Sequence, residues 1–253
     1  MKIVRVQTPE GIRYGGVEEE GIRVHEGSPL VAWEPTEVMI PFRDVRLLSP
    51  ILPTKVVAVG RNYEDHAAEL GNVTPDAPAI FLKPSTSVIG PEEAIVLPTA
   101  SSEVHHEAEM AIVIGTVARN VRAEDANSVI LGFTAANDVT ARDLQRVDGQ
   151  WGRAKGFDTF CPLGPAIETE FDPLEDHAIE CVVNDEIRQG ASIIDMVFGV
   201  AELVEFITSA MTLLPGDVIL TGTPSGVGPI VAGDRVEVRL DGVGTLANPV
   251  VAS

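Results

Sequence analysis

Two glutamates stand two residues apart, Glu107 and Glu109, at the entrance to the apolar run Met110–Ile114 in the segment HHEAEMAIVIG. On a strand, side chains two apart face the same side, so both carboxylates are expected to point into one space. Two like charges beside a core are costly unless a cation neutralises them. The alternative is a frayed strand end with solvated glutamates. A third acid, Asp138, ends the strand-like run GFTAANDVT and can converge on the same point. Three carboxylates without a cysteine make a hard-oxygen site suited to Mg²⁺ or Mn²⁺, with Ca²⁺ also possible, rather than to zinc. His105 and His106 are neighbours that face opposite ways, and both are read as structural.

Proton chemistry needs a different residue type, and GRNYEDHAAELG (residues 60–71) supplies it. In a helix, His66 and Glu69 lie three apart on one face, within hydrogen-bond reach. A carboxylate on one imidazole nitrogen fixes the tautomer and raises the basicity of the other. The plain reading is an exposed helix pair; Gly60 and Gly71 also allow a mobile flap. Cations are scarce: there are 18 basic residues against 38 acidic ones, and Lys2, Lys55, Lys83 and Lys155 are the lysines. Lys83 and Lys155 sit in largely apolar stretches. Arg142, Arg146 and Arg153 join Lys155 in one short cationic segment.

These residues must be positioned by a body of about 200 residues. Residues 1–49 alternate short apolar runs with turns (KIVRVQ, IRYGGV, IRVHEG) and read as a small β-rich module, with a boundary near Ser49. In residues 50–253, strands are expected at 55–60, 79–82, 107–114, 131–139, 178–183, 217–221 and 234–240. The clearest helix is expected at 196–211, and shorter ones at 62–70, at 123–130 and after Thr140, where Thr140 is the expected cap. Hairpin-type turns such as Asn184-Asp185 and few helices argue an α+β fold rather than a doubly wound parallel sheet. A formal charge of −20 makes nucleic acid and anionic membranes poor partners. No apolar run approaches the ~20 residues of a membrane span, and the start MKIVRVQTPEG lacks a signal-peptide core. Cys161 and Cys181 lack framework spacing and read as free thiols. The expected location is the cytoplasm.

The ordered set GRNYEDH, FLKPSTS, EAE within a strand, NDVTARDLQ, AKGFDTFCPLGP and LTGTPSGVG resembles the fumarylacetoacetate hydrolase family, in its small form with a short N-terminal module. The resemblance spans residue 55 to the end. It implies a mixed β-roll, commonly a homodimer, with Glu107, Glu109 and Asp138 as metal ligands. By the same resemblance, His66, Glu69 and Lys155 are catalytic, and Arg142, Gln145, Thr223 and Lys83 bind the substrate. The implied substrate is a small anionic 2-oxo or 2-enol acid. Three outcomes share an enol or enolate: hydrolysis of an acylpyruvate such as acetylpyruvate, decarboxylation of oxaloacetate, and isomerisation of a 2-hydroxyhepta-2,4-diene-1,7-dioate-type acid. Cleavage at C3–C4 is preferred from sequence, with isomerisation or tautomerisation second and a non-catalytic metal-binding or ligand-binding relative third.

Overall fold

The computed structural model describes residues 1–253 apart from Leu70, Asn72 and Thr74. It is an α+β fold of three sheets with few, short helices. Ala108–Ile114 is the middle of the largest sheet, paired antiparallel to Ile130–Asn137 on one side and to Val218–Leu220 on the other. Every residue of that strand is buried, because the sheet is covered on both faces. Met110, Ile112 and Ile114 enter the main core together with Ile179, Val238 and Leu246 of a five-stranded sheet and Leu203, Val204 and Ile207 of the helix Val200–Ala210. Ala111 and Val113 enter a second cluster with Val56, Ala58, Cys161 and Leu163. Alternation along one strand thus serves two cores, and it assigns Glu109 to the Ala111 and Val113 side.

The strands Lys2–Thr8, Gly11–Glu18, Gly21–Ser28 and Ala32–Ile40 form an antiparallel meander. The first of them continues the large sheet by pairing with Cys161–Glu168, in the register Lys2↔Glu168 and Ile3↔Ile167. Both cysteines are buried and free. No helix among the described residues is long and apolar enough to cross a membrane.

Three local expectations are corrected. Thr140 is not a cap: Thr140–Ala141 is a short strand held by Val104–His106, and the Thr140 hydroxyl donates to Asp138 O at 2.8 Å. The helix is Arg142–Asp148 and begins without a side-chain cap. The long helix begins at Val200 rather than at 196, because Met196 bridges Tyr63 and the Val197 N–H donates to Asn62 O at 2.8 Å, which hold that stretch off the helical path. Ala123–Val129 is 3₁₀ rather than α-helix. The helix expected at 62–70 is found at Glu64–Glu69, and Leu70 lies outside the described residues.

Asp217, fully buried, precedes the strand Val218–Leu220 at the end farther from Glu109. Its carboxylate accepts from the backbone N–H groups of Thr54 (3.1 Å), Lys55 (3.1 Å) and Leu214 (2.8 Å) and from the Thr54 hydroxyl (2.6 Å), and it pairs with the Lys55 ammonium. Asp217→Ala leaves these donors and the Lys55 charge without a partner, so it is expected to destabilise the fold by roughly 3–5 kcal/mol. Urea unfolding with an unchanged m-value checks it.

Candidate functional site

The register Ala108↔Asn137 lays the segment bearing Glu107 beside the one bearing Asp138. The Glu107 N–H donates to Asn137 Oδ1 at 3.0 Å, and the Asp138 N–H donates to Glu107 O at 2.9 Å. Glu107 itself falls in the break between Val104–His106 and Ala108–Ile114, so these cross-links, rather than strand alternation alone, orient it. Carboxylate oxygens of Glu107, Glu109 and Asp138 lie within 4.8 Å of one another, all three groups being buried. An ion bonded at roughly 2.0–2.6 Å to oxygen spans ligands up to roughly 4–5 Å apart, so the triad fits a hard divalent cation.

Each acid has a different electrostatic environment. Lys155, from the short helix Gly152–Lys155, donates to Glu107 Oε2 at 2.6 Å and to Asp138 Oδ2 at 2.7 Å. Arg142 Nη2 donates to Glu107 Oε1 at 2.5 Å, and Lys83 pairs with the other Asp138 oxygen. Burial alone would raise the Glu107 carboxyl, but Lys155 and Arg142 outweigh it and hold the group well below the usual range. Burial also disfavours the Lys155 ammonium, yet Asp138 and Glu107 keep it above its ordinary value, so it stays charged. Glu109 touches no cation among the described residues. It accepts a bond from the Gly222 N–H at 2.6 Å, while burial and the neighbouring charges of Asp138 and Glu107 push its carboxyl well up. Gly222 is required there: its φ is 98°, and a Cβ would lie 2.7 Å from that of Asn62.

Glu107 and Glu109, with Asp138 behind them, open on a cavity of ≈ 350 Å³ whose wall also includes His66, Arg142, Gln145, Lys155 and Thr223. His66 Nδ1 lies 3.3 Å from Glu69 Oε2, and the Glu69 carboxylate also accepts from the Gly226 N–H at 3.1 Å. Burial pushes the His66 imidazole below its ordinary pKa, with Glu107 and Glu69 opposing. Gln145 Oε1 accepts from Arg142 Nη1 at 2.7 Å. Thr223 is fixed by Gln189, whose amide donates to the Thr223 hydroxyl and to Pro224 O, both at 2.8 Å. Gln189 Oε1 in turn accepts from the Ala108 N–H and faces His106 Nδ1, each at 3.0 Å.

Lys83 is brought to the cluster but not to the cavity wall: it is almost fully buried and engages Asp138, which fits holding that carboxylate better than touching a substrate. His105, read as structural, lies on the wall with Nε2 3.1 Å from Glu103. His106 is turned away onto Gln189. Arg61, Glu103 and Trp151 also line the cavity and were not singled out from sequence. Arg61 lies within the GRNYEDH motif, which was the available signal. Gln189 lies in an ordinary strand, Glu186–Ser192, and carried none.

Residues 55–251 match the family described as fumarylacetoacetate (FAA) hydrolase C-terminal, and residues 1–50 match the one described as Rv2993c-like, N-terminal. The chain is 43% identical over 224 residues to the oxaloacetate tautomerase Fahd2a, mitochondrial, of Rattus norvegicus, covering 84% of this chain and 72% of the relative. Among solved structures, it resembles the 5-carboxymethyl-2-hydroxymuconate delta-isomerase of Mycobacterium smegmatis, with 48% identity, all of both chains covered and a TM-score of 0.94. The 2-hydroxyhepta-2,4-diene-1,7-dioate isomerase of Mycobacterium marinum is similar at 46% identity and a TM-score of 0.93, over 100% of this chain and 99% of that one.

Proposed function

The chain belongs to the fumarylacetoacetate hydrolase family, and on that premise we propose that it tautomerises or isomerises a small 2-oxo or 2-hydroxy-2-enoic dicarboxylic acid, using Mg²⁺ or Mn²⁺, with Ca²⁺ as a further candidate, at Glu107, Glu109 and Asp138. The observation that carries this reading is the charge balance around the cavity. The three carboxylates are matched in formal charge by Lys83, Lys155 and Arg142. A divalent cation therefore brings a surplus of two positive charges to this cluster, to which Arg61 on the cavity wall adds another, and a dicarboxylate substrate offsets most of it.

The metal, when bound, would polarise a 2-oxo group and favour its enolate. The remaining work falls to the chain. Arg142, steadied by Gln145, and Thr223, steadied by Gln189, would hold the carboxylate next to the 2-oxo group. Lys155 supplies fixed positive charge beside the oxygen on which negative charge develops. His66, with Nδ1 toward Glu69, keeps a basic Nε2 for moving a proton at C3. Lys83 holds Asp138 in place.

Cleavage of C3–C4, preferred from sequence, becomes the second reading. The isomerase and tautomerase names of similar proteins favour proton transfer. The His66–Glu69 pair supports cleavage equally, since it would also activate a water. Residues 1–49 and 50–253 are proposed as two units of a cytoplasmic homodimer, the dimer being tested by light scattering.

Proton NMR of oxaloacetate, acetylpyruvate and 2-hydroxyhepta-2,4-diene-1,7-dioate with added Mg²⁺ tests the chemistry. Keto–enol exchange or double-bond migration without loss of carbon is the expected result. Release of carbon dioxide or acetate would put cleavage first. Binding without turnover of any of the three would leave the non-catalytic reading.

A further inference from the structure

Arg61 differs from the other cations of the cavity wall. Arg142 is engaged by Glu107 and Gln145, Arg146 by Glu103, and Lys155 by Glu107 and Asp138. Arg61 has no carboxylate within ion-pair distance among the described residues, although acidic residues outnumber basic ones 38 to 18. Its guanidinium carbon lies 5.7 Å from the centroid of Trp151, a contact that positions the charge without neutralising it. Trp151 is itself fixed: a Cβ at Gly60 would lie 2.3 Å from the indole, and Phe81 meets the ring edge-on at 5.2 Å.

The backbone is committed to this arrangement. Arg61 has φ 60°, a conformation that a side chain bearing a Cβ adopts at a cost. The next residue over-determines it. Asn62 is fully buried, its amide donates to Phe198 O (3.0 Å) and Thr221 O (2.8 Å), and its Oδ1 accepts from the Phe198 N–H at 2.8 Å. Strain retained at a cavity wall, on a cation with no carboxylate partner among the described residues, points to a ligand.

We propose that Arg61 is the specificity-determining residue that receives the second carboxylate of a dicarboxylic acid whose 2-oxo acid end is held at Arg142. This rests on the function proposed above and adds the residue that separates dicarboxylic from monocarboxylic 2-oxo acids. Arg61 suits the task because its planar fork binds a carboxylate through two parallel bonds.

Arg61→Ala, Arg61→Gly and Arg61→Lys test it, with KM for oxaloacetate and Ki for oxalate, which reproduces the 2-oxo acid end and has no distal carboxylate. Arg61→Gly guards against misfolding, since glycine accepts positive φ, and its Tm is expected at or above the parent's. Alanine and glycine should raise KM for oxaloacetate roughly 10- to 100-fold, with kcat within about threefold and Ki for oxalate unchanged. Lysine should fall between them and the parent. An unchanged KM, or an equal loss against oxalate, would overturn the assignment. If the parent fails to turn over oxaloacetate, that acid is excluded as a substrate independently of Arg61. Calorimetric binding of oxaloacetate against oxalate with Mg²⁺ then decides the Arg61 assignment by the same criterion.

Discussion

Glu109→Gln is expected to leave the chelator-treated protein as stable as the parent while removing both its stabilisation by added Mg²⁺ and about 10²–10³-fold of its activity. The reason is the asymmetry within the triad. Glu107 and Asp138 are anchored by lysines and an arginine, whereas Glu109, among the described residues, accepts only from the Gly222 N–H and is pushed toward its neutral form by burial and two nearby anions. Glutamine reproduces the shape of that neutral acid. It should therefore cost little in the metal-free protein, yet it cannot supply an anionic oxygen to a cation. For the parent, Mg²⁺ at 100 times its Kd should add about 2.7 kcal/mol of stability, and the variant should show no such gain. Melting curves with EDTA and with Mg²⁺, read for both proteins, make the comparison. A variant that keeps the Mg²⁺ shift removes Glu109 from the metal site; a parent that never shows one removes the site.

Removing the proton-handling group should separate chemistry from metal binding. His66→Ala is expected to lower kcat by ~10²–10⁴-fold while Mg²⁺ affinity stays within a fewfold of the parent. The imidazole lines the cavity and leans on Glu69, with the proposed ligands on other elements. Glu69→Gln should do less damage, because it keeps a hydrogen-bonding side chain and loses only the charge. The pH profile carries its own sign. A base works in its neutral form, and burial depresses the His66 pKa, so the acid limb of kcat/KM should fall below pH 6.5 rather than above it. Neutralising Glu107 with a cation removes one of the influences that hold this pKa up, so metal binding moves the limb in the same direction. A limb above pH 6.5, or a His66→Ala variant that loses the metal, would reassign the roles.

Much of the scaffold was legible because it obeys short-range rules. The strands Val56–Gly60, Ala79–Lys83, Ala178–Val183 and Arg235–Leu240 sit where apolar runs and turns put them. Two of the three errors fell where a distant partner overrides local preference. Thr140 and Ala141 are drawn out as strand by Val104 and His105, and Met196 and Val197 are held by Tyr63 and Asn62.

The candidate site divides along the same line. Residue types with two-residue spacing were enough to mark Glu107 and Glu109, and an apolar run to mark Asp138, as acids beside a core, and three-residue spacing to mark His66 and Glu69 as a helix pair, because these are statements about neighbours in the chain. Only the tertiary structure decided which acid is neutralised by which cation. Lys83 and Asp138 are 55 residues apart, Lys155 and Glu107 are 48 apart, and Arg142 and Glu107 are 35 apart. It also decided that Lys83 lies behind the carboxylates, that Gln189 fixes Thr223, and that Arg61 lines the cavity with no carboxylate partner among the described residues. Ion pairing inside a protein depends on distance and burial, which chain spacing does not encode, so an acidic sequence can mark where charge will gather but not which charges the fold leaves for a ligand.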